Sequence, residues 1–271
     1  MFRVITPESC SESGQFTETE KSLDKRRASF ILKNKFRRMA GNRRLGVLWI
    51  ALDPIIQSLI YLFVFIVIRG KLNPESLFIG ITLWRLAAAS VNSGMKAVQD
   101  YSGGLRSERI RTRALIIPIL QYRVIDCFVS TVGVAAILYF YYNVPGTGVL
   151  AFLAIAQIMG VLFEGSSLNL YMITRSYPDL TNIISHFLRF MFFAGPVLYP
   201  MSLMSGWHYR FNEFNPFSYF AELSRHLCGI EGVYAELSQA TFLFFVGSLV
   251  ILTFRGYSKI DWYRWKVSTW S

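Results

Sequence analysis

Two arginines stand inside stretches that otherwise suit lipid: Arg85 within residues 76–95 and Arg189 within 182–200. An ionised side chain in a hydrocarbon layer is costly, so each marks a functional site or an internal ion pair. Arg85 lies nine residues into its stretch and Arg189 about seven into its own, which places both near mid-depth. Two cations at similar depth suit a pathway for something anionic, with Trp84 beside one and His186 a turn from the other on the same helical face. The alternatives are internal pairing, for which Glu164 is the available carboxylate, or snorkelling to water. A single carboxylate cannot fully neutralise two arginines. Asp53, four residues after Trp49, interrupts the apolar run from Leu45 to Ile68 and stands where a gate into the first span would lie.

Catalytic chemistry has little to stand on. There is no G-x-x-x-x-G-K-[ST] loop to cradle ATP phosphates, no H-E-x-x-H and no C-x-x-C. His186, His208 and His226 are too dispersed for a metal site, and Cys10, Cys127 and Cys228 are too far apart for a disulfide framework, so they read as small hydrophobes. His208 followed by Glu213 is the nearest acid/base pair, of the kind a membrane-embedded acyl or glycosyl transferase would use. Only seventeen residues are acidic and five of these fall before residue 25, which leaves no paired carboxylates for sugar transfer.

The elements that must position these residues are membrane helices. Of 271 residues, 53% are hydrophobic and 17% charged, with a net charge of +11, too apolar and too basic for an ordinary soluble domain. A span needs about 20 apolar residues. Six stretches qualify: 46–69, 76–95, 122–142, 148–173, 182–200 and 236–255. The uncharged run 127–163 is too long for one span, and NVPGTG at 143–148 breaks it as a turn would. With both termini in the cytoplasm, 22 of the 28 Lys and Arg fall on the inner side and four on the outer, as the positive-inside rule requires.

Residues 1–24 read as a disordered cytoplasmic lead-in without the apolar core of a secretory signal. Residues 25–44 carry nine cations among Phe30, Ile31, Leu32, Phe36, Met39 and Ala40. This pattern predicts an amphipathic helix lying in the headgroup plane against anionic membrane lipids rather than on nucleic acid. Between spans two and three, Leu105, Arg106, Arg109, Ile110 and Arg111 belong to a short basic helix along the inner surface, suited to a grip by a soluble partner. The outer segment 195–234 is too apolar for an exposed loop and too broken by Pro196, Pro200, Gly206 and Pro216 for a span. It reads as short re-entrant helices. Their aromatics, among them Trp207, Tyr209, Phe217 and Tyr219, form either a sugar-stacking platform at a pore mouth or an interfacial anchor. The predicted fold class is an all-α integral membrane protein, with 45–255 as the transmembrane domain and 256–271 as a cytoplasmic tail.

The opening of the first span, NRRLGVLWIALDPIIQ, and the FNEFNPFSYFAELSRHL stretch before the last resemble permeases of polysaccharide-exporting ABC transporters, most of all the capsular polysaccharide export permease of the KpsM type. By order of elements the resemblance covers residues 30–255. It implies a homodimer in the bacterial inner membrane, coupled through 104–115 to a separate ATP-binding cassette ATPase that holds the ATP and Mg. This chain would then need no cofactor of its own. The cargo implied is a lipid-linked, acidic capsular polysaccharide passing between the two copies, toward periplasmic and outer-membrane export proteins. A permease of the same fold for O-antigen, teichoic acid or another cargo, and the transferase around His208, stand as alternatives.

Overall fold

The computed structural model describes residues 18–40, 48–69, 73–97, 112–230 and 232–260. Every regular element among them is helical: α1 (Glu18–Ala40), α2 (Leu48–Arg69), α3 (Pro74–Lys96), α4 (Thr112–Phe140), α5 (Gly146–Ser167), α6 (Tyr171–Ser176), α7 (Asp179–Ala194), α8 (Gly206–Glu213), α9 (Pro216–Leu227) and α10 (Gln239–Ser258). Three-residue 3-10 turns follow α5, precede α8 and precede α10.

Among the described residues, three helical stretches are both long and apolar enough to cross a membrane: Ile116–Phe140, Gly146–Leu170 and Gln239–Ser258. The other three expected spans are helices of different character. Helix α2 is 22 residues long and uncharged apart from Asp53 and the terminal Arg69, with Pro54 inside it. Helix α3 carries Glu75, Arg85 and Lys96, and its middle is buried by other helices, so it need not be apolar all round. Helix α7 has 16 residues and stops where Gly195 and Pro196 take the backbone out of the helix. At about 1.5 Å per residue it is some 24 Å long, short of a 30 Å hydrocarbon core.

The expected break between spans three and four is present. Asn143 adopts φ +53°, a left-handed conformation that Asn tolerates better than most residues. Val144 donates its N–H back to Leu138, and Pro145 precedes the first turn of α5. At the other end α4 begins at Thr112 and runs through Pro118. Residues 112–115, expected to close a separate surface helix, are therefore the first turn of α4. Of the proposed coupling residues, Leu105, Arg106, Arg109, Ile110 and Arg111 lie outside the described residues, as do 1–17, 41–47 and 261–271.

Helix α5 is the centre of the bundle, packed against α3, α4, α9 and α10. Its residues Phe152, Ala156 and Met159 are buried in one cluster with Leu77, Ile81 and Leu83 of α3 and Val134 and Leu138 of α4. Small residues let these backbones approach. A Cβ on Gly160 would collide with the Cys127 sulfur of α4. Helix α10 is tied to α5 by Thr253 Oγ1 donating to the Leu162 carbonyl at 3.1 Å, and turns Leu243, Phe244, Ile251 and Phe254 outward. Helix α1 begins at Glu18 rather than at 25 and lies against α4, with Ala28 buried and Phe36 5.5 Å from the Tyr122 ring.

Candidate functional site

The polar groups of the bundle form two buried clusters and one cavity. Arg123 stands in α4 twenty residues before Asn143, and Glu164 in α5 twenty residues after Val144. In an antiparallel helical hairpin, residues equidistant from the turn lie at one level. Here they meet: Arg123 Nε donates to Glu164 Oε2 at 3.1 Å and Nη2 to Oε1 at 3.2 Å. Nη1 donates to Asp126 Oδ2, one turn on, at 2.9 Å, and Nη2 also reaches the Ala89 carbonyl of α3 at 3.3 Å. Ser93 Oγ donates to Glu164 Oε1 at 2.7 Å. The two side chains are 1% and 0% exposed. Charges taken out of water at such cost persist only where geometry saturates them, and here each guanidinium nitrogen has an acceptor.

A second pair sits between α8–α9 and the bundle. Asn215 caps α9, its side chain accepting from the Phe217 N–H at 3.1 Å with Pro216 opening the helix. This start fixes the phase of α9 so that Glu222 and Arg225, one turn apart, both point inward. Arg225 Nη1 donates to Glu222 Oε1 at 2.7 Å. Its Nη2 donates to the carbonyls of Pro196 at 2.8 Å and of Ser76 and Val197 at 3.3 Å, and the Met201 N–H donates to Glu222 Oε1 at 3.0 Å. One guanidinium thus fastens the 195–201 segment to the start of α3. Gly80 is required there, because a Cβ would collide with the Val197 carbonyl. Burial pushes the neighbouring Cys228 thiol up to about 12, which keeps it inert at neutral pH.

The cavity, about 400 Å3, opens between α1, the second half of α3 and the first half of α4. Lys35, Arg85, Lys96 and Arg123 line it together with Asp126, Tyr122, Asn92 and Ser93. Lys35 Nζ stands 3.9 Å from the centre of the Tyr122 ring. Arg85 Nη2 donates to Asp53 Oδ2 at 2.9 Å, and Nη1 to Ser130 Oγ at 3.3 Å and the Ile50 carbonyl at 3.4 Å, so Arg85 of α3 ties α2 to α4.

Several expectations change with this geometry. Glu164 is not the counter-ion of Arg85 or Arg189; Arg123 takes it, and Asp53 takes Arg85. Arg123, counted among cytoplasmic flank cations, and Arg225, counted in the outer segment, are the two fully buried arginines among the described residues. Arg189 and His186 are exposed on α7 beside Ile183, Phe187 and Phe190. Trp84 and Phe217 pack edge to face at 4.9 Å inside the core, and Tyr219 is buried against Phe242. None of these three rings is open to a ligand; of the aromatic segment, Trp207 and Phe214 are exposed, at 87% and 75%, and Tyr209 is half-buried. Trp49 is likewise half-buried beside the cavity's helices. His208 Nε2 is bonded to the Ala194 carbonyl at 2.7 Å and its ring lies against Tyr199, a structural tie and not the partner of Glu213 that a transferase would need. Among the described residues no three His, Cys, Asp or Glu gather as a metal site. The signal for the Arg123 pair was available in the sequence: a charge-free run bounded by Asp126 and Glu164, with its turn at the midpoint.

Fold and site together define a multi-pass membrane protein whose interior charges are paired and whose open polar space is a cleft between helices. Residues 27–228 match the ABC-2 type transporter family, and the chain belongs to that family. It is also similar to the O-antigen export system permease protein RfbA of Myxococcus xanthus, at 27% identity over 161 residues. That match covers 58% of this chain and 62% of the relative.

Proposed function

We propose that this chain is the membrane-spanning subunit of an ABC transporter that exports a lipid-linked polysaccharide across the bacterial inner membrane. The family assignment supports a transporter subunit, and the O-antigen relative supports a glycan as cargo. The structural observation that carries the reading is the exposed face of α7. Arg189 there projects from an apolar helix and makes no ion pair among the described residues, and such a cation calls for a polar pathway or a protein neighbour rather than lipid. A second copy of the chain across that face would enclose a pathway lined by Arg189, His186 and, at its outer mouth, Trp207 and Tyr209.

In this reading α2, α3, α4, α5, α7 and α10 are the six spans, both termini are cytoplasmic, and residues 195–236 dip into the outer leaflet. A separate ATP-binding cassette ATPase supplies ATP and Mg, and docks on the segment containing Leu105, Arg106, Arg109, Ile110 and Arg111. Periplasmic and outer-membrane proteins would carry the polymer onward. Within this reading the cargo is an acidic capsular polysaccharide of the KpsM-type systems or an O-antigen, and the relative favours weighing the second equally.

Deleting the chain from its host and identifying the glycan that accumulates inside the cell tests the proposal. Surface glycan should fall and lipid-linked polymer should build up in the cytoplasm, with an ATPase co-purifying with the restored protein. Unchanged surface glycan would overturn it.

A further inference from the structure

We infer that Leu168, Tyr257 and Ile260 are positioning residues that carry movement of the ATPase-docking segment into the helix bundle, through an apolar knot where α3 stops and α4 starts. The inference rests on the docking reading proposed above and names the side chains through which that docking acts.

The knot is a cluster apart from the main core. Ala97, Ile119, Leu168 and Ile260 are at most 3% exposed, and Ile116 and Tyr257 pack against them. It gathers four pieces of chain: Ala97 closes α3, Ile116 and Ile119 lie in the first turns of α4, Leu168 follows directly on α5, and Ile260 stands two residues beyond α10. The chain that carries Arg106 and Arg109 leaves the bundle at Ala97 and returns at Thr112. Force applied to that segment therefore reaches the bundle at the two helix ends that the knot holds together.

The register of the helices shows where the force goes next. Ser93, Arg123 and Glu164 bond to one another, and each stands four residues from the knot residue of its own helix, Ala97, Ile119 and Leu168. One helical turn, about 6 Å, thus separates the apolar layer from the polar node on all three helices. The directional bonds of the node hold α3, α4 and α5 in fixed register, and a close-packed layer transmits displacement because it compresses little. Helix α10 contributes nothing to the node. It is seated on α5, where a Cβ on Gly256 would collide with the Gly165 carbonyl, and it reaches the ends of α3 and α4 through the knot. The Tyr257 hydroxyl is buried there with no hydrogen-bond partner among the described residues, so shape and not a polar tie fixes this contact. A cavity at Ile260 would let the ends of α3 and α4 shift locally, and the movement would be absorbed by repacking before it reached the node.

Export and hydrogen exchange, measured on the full-length protein with its co-purified ATPase, test this. For Ile260→Ala, surface glycan per assembled complex should fall about fivefold while the purified complex still hydrolyses ATP. Ile260→Leu should restore export, and Ile260→Val should give an intermediate loss. Leu138→Ala, a truncation at a fully buried position of the main core, should leave export per complex unchanged. Hydrogen exchange at residues 93–97 and 116–123 should quicken in Ile260→Ala and not in Leu138→Ala. Normal export per complex in Ile260→Ala would overturn the inference, and so would an equal loss in Leu138→Ala or unchanged exchange at those residues. If no ATPase co-purifies, or if deleting the chain leaves surface glycan unchanged, the proposed function fails instead, and the exchange measurement still decides whether the knot holds the two helix ends.

Discussion

Arg123 and Glu164 meet at 3.1 Å across the α4–α5 hairpin, each at the same distance from its turn, with almost no surface exposed. The contact joins three helices, because Ser93 and the Ala89 carbonyl of α3 complete it. It makes the centre of the bundle a cross-linked polar node inside an apolar core, and its energetics have a definite sign.

Removing one partner strands the other. Glu164→Ala leaves a buried guanidinium with the Ala89 carbonyl and Asp126 as its one counter-ion among the described residues, and the expected loss is about 3–5 kcal/mol. Replacing the whole node, as Arg123→Met, Asp126→Asn and Glu164→Leu together, should recover most of that loss because no buried charge is left over. Unfolding midpoints in detergent measure both, and a triple variant as unstable as Glu164→Ala would contradict the assignment.

The Arg85–Asp53 pair should be weak by comparison. Its side chains are 26% and 51% exposed and Arg85 borders the open polar cavity, where water screens the attraction. A double-mutant cycle with Arg85→Gln and Asp53→Asn should give a coupling of about 0.2–1 kcal/mol. A coupling of several kcal/mol would place this pair in a drier setting than its geometry shows.

Arg225 should control access to Cys228. In the native protein the thiol, buried and raised to about 12, should resist maleimide at neutral pH and gain reactivity only as the pH approaches that value. Arg225→Met removes the tie between the 195–201 segment and α3 and should expose the thiol to labelling at pH 7, read at Cys228 by mass spectrometry. Continued protection would show that the segment is held by other contacts.

Gly80→Ala tests the same junction from α3. The added methyl meets the Val197 carbonyl, and overpacking of this kind costs about 1–3 kcal/mol. Gly247→Ala, where nothing lies within 4 Å, should be neutral or slightly stabilising in the same helix-unfolding assay. Equal effects at the two positions would remove the steric explanation.

Arg189→Gln should lower export several-fold while the protein still inserts and purifies with its partner, since the side chain lies on an exposed face and supports no core contact. Surface glycan measured against the amount of assembled protein gives the ratio. Export at the normal rate would remove Arg189 from the proposed pathway.

What the chain discloses locally is its division into helices and the break between α4 and α5. Long uncharged runs must leave water, and Asn143 in its left-handed conformation and Pro145 without an N–H end α4, so these features depend only on neighbouring residues. Asn215-Pro216 before α9 is equally local, a cap and a first-turn proline side by side. Charge placement is different. Arg123 stands at the edge of an apolar run and looks like a cytoplasmic flank, whereas Arg85 stands within one and looks stranded. Tertiary structure reverses their roles: α5 brings Glu164 to Arg123 from forty-one positions away, and α2 brings Asp53 to Arg85. Trp84, Phe217 and Tyr219 follow the same logic, since their type suits a binding platform and only packing decides that they are core. Hydrophobicity is summed along the chain, but an ion pair needs two particular side chains at one depth and on facing sides, which is set by how helices register against one another.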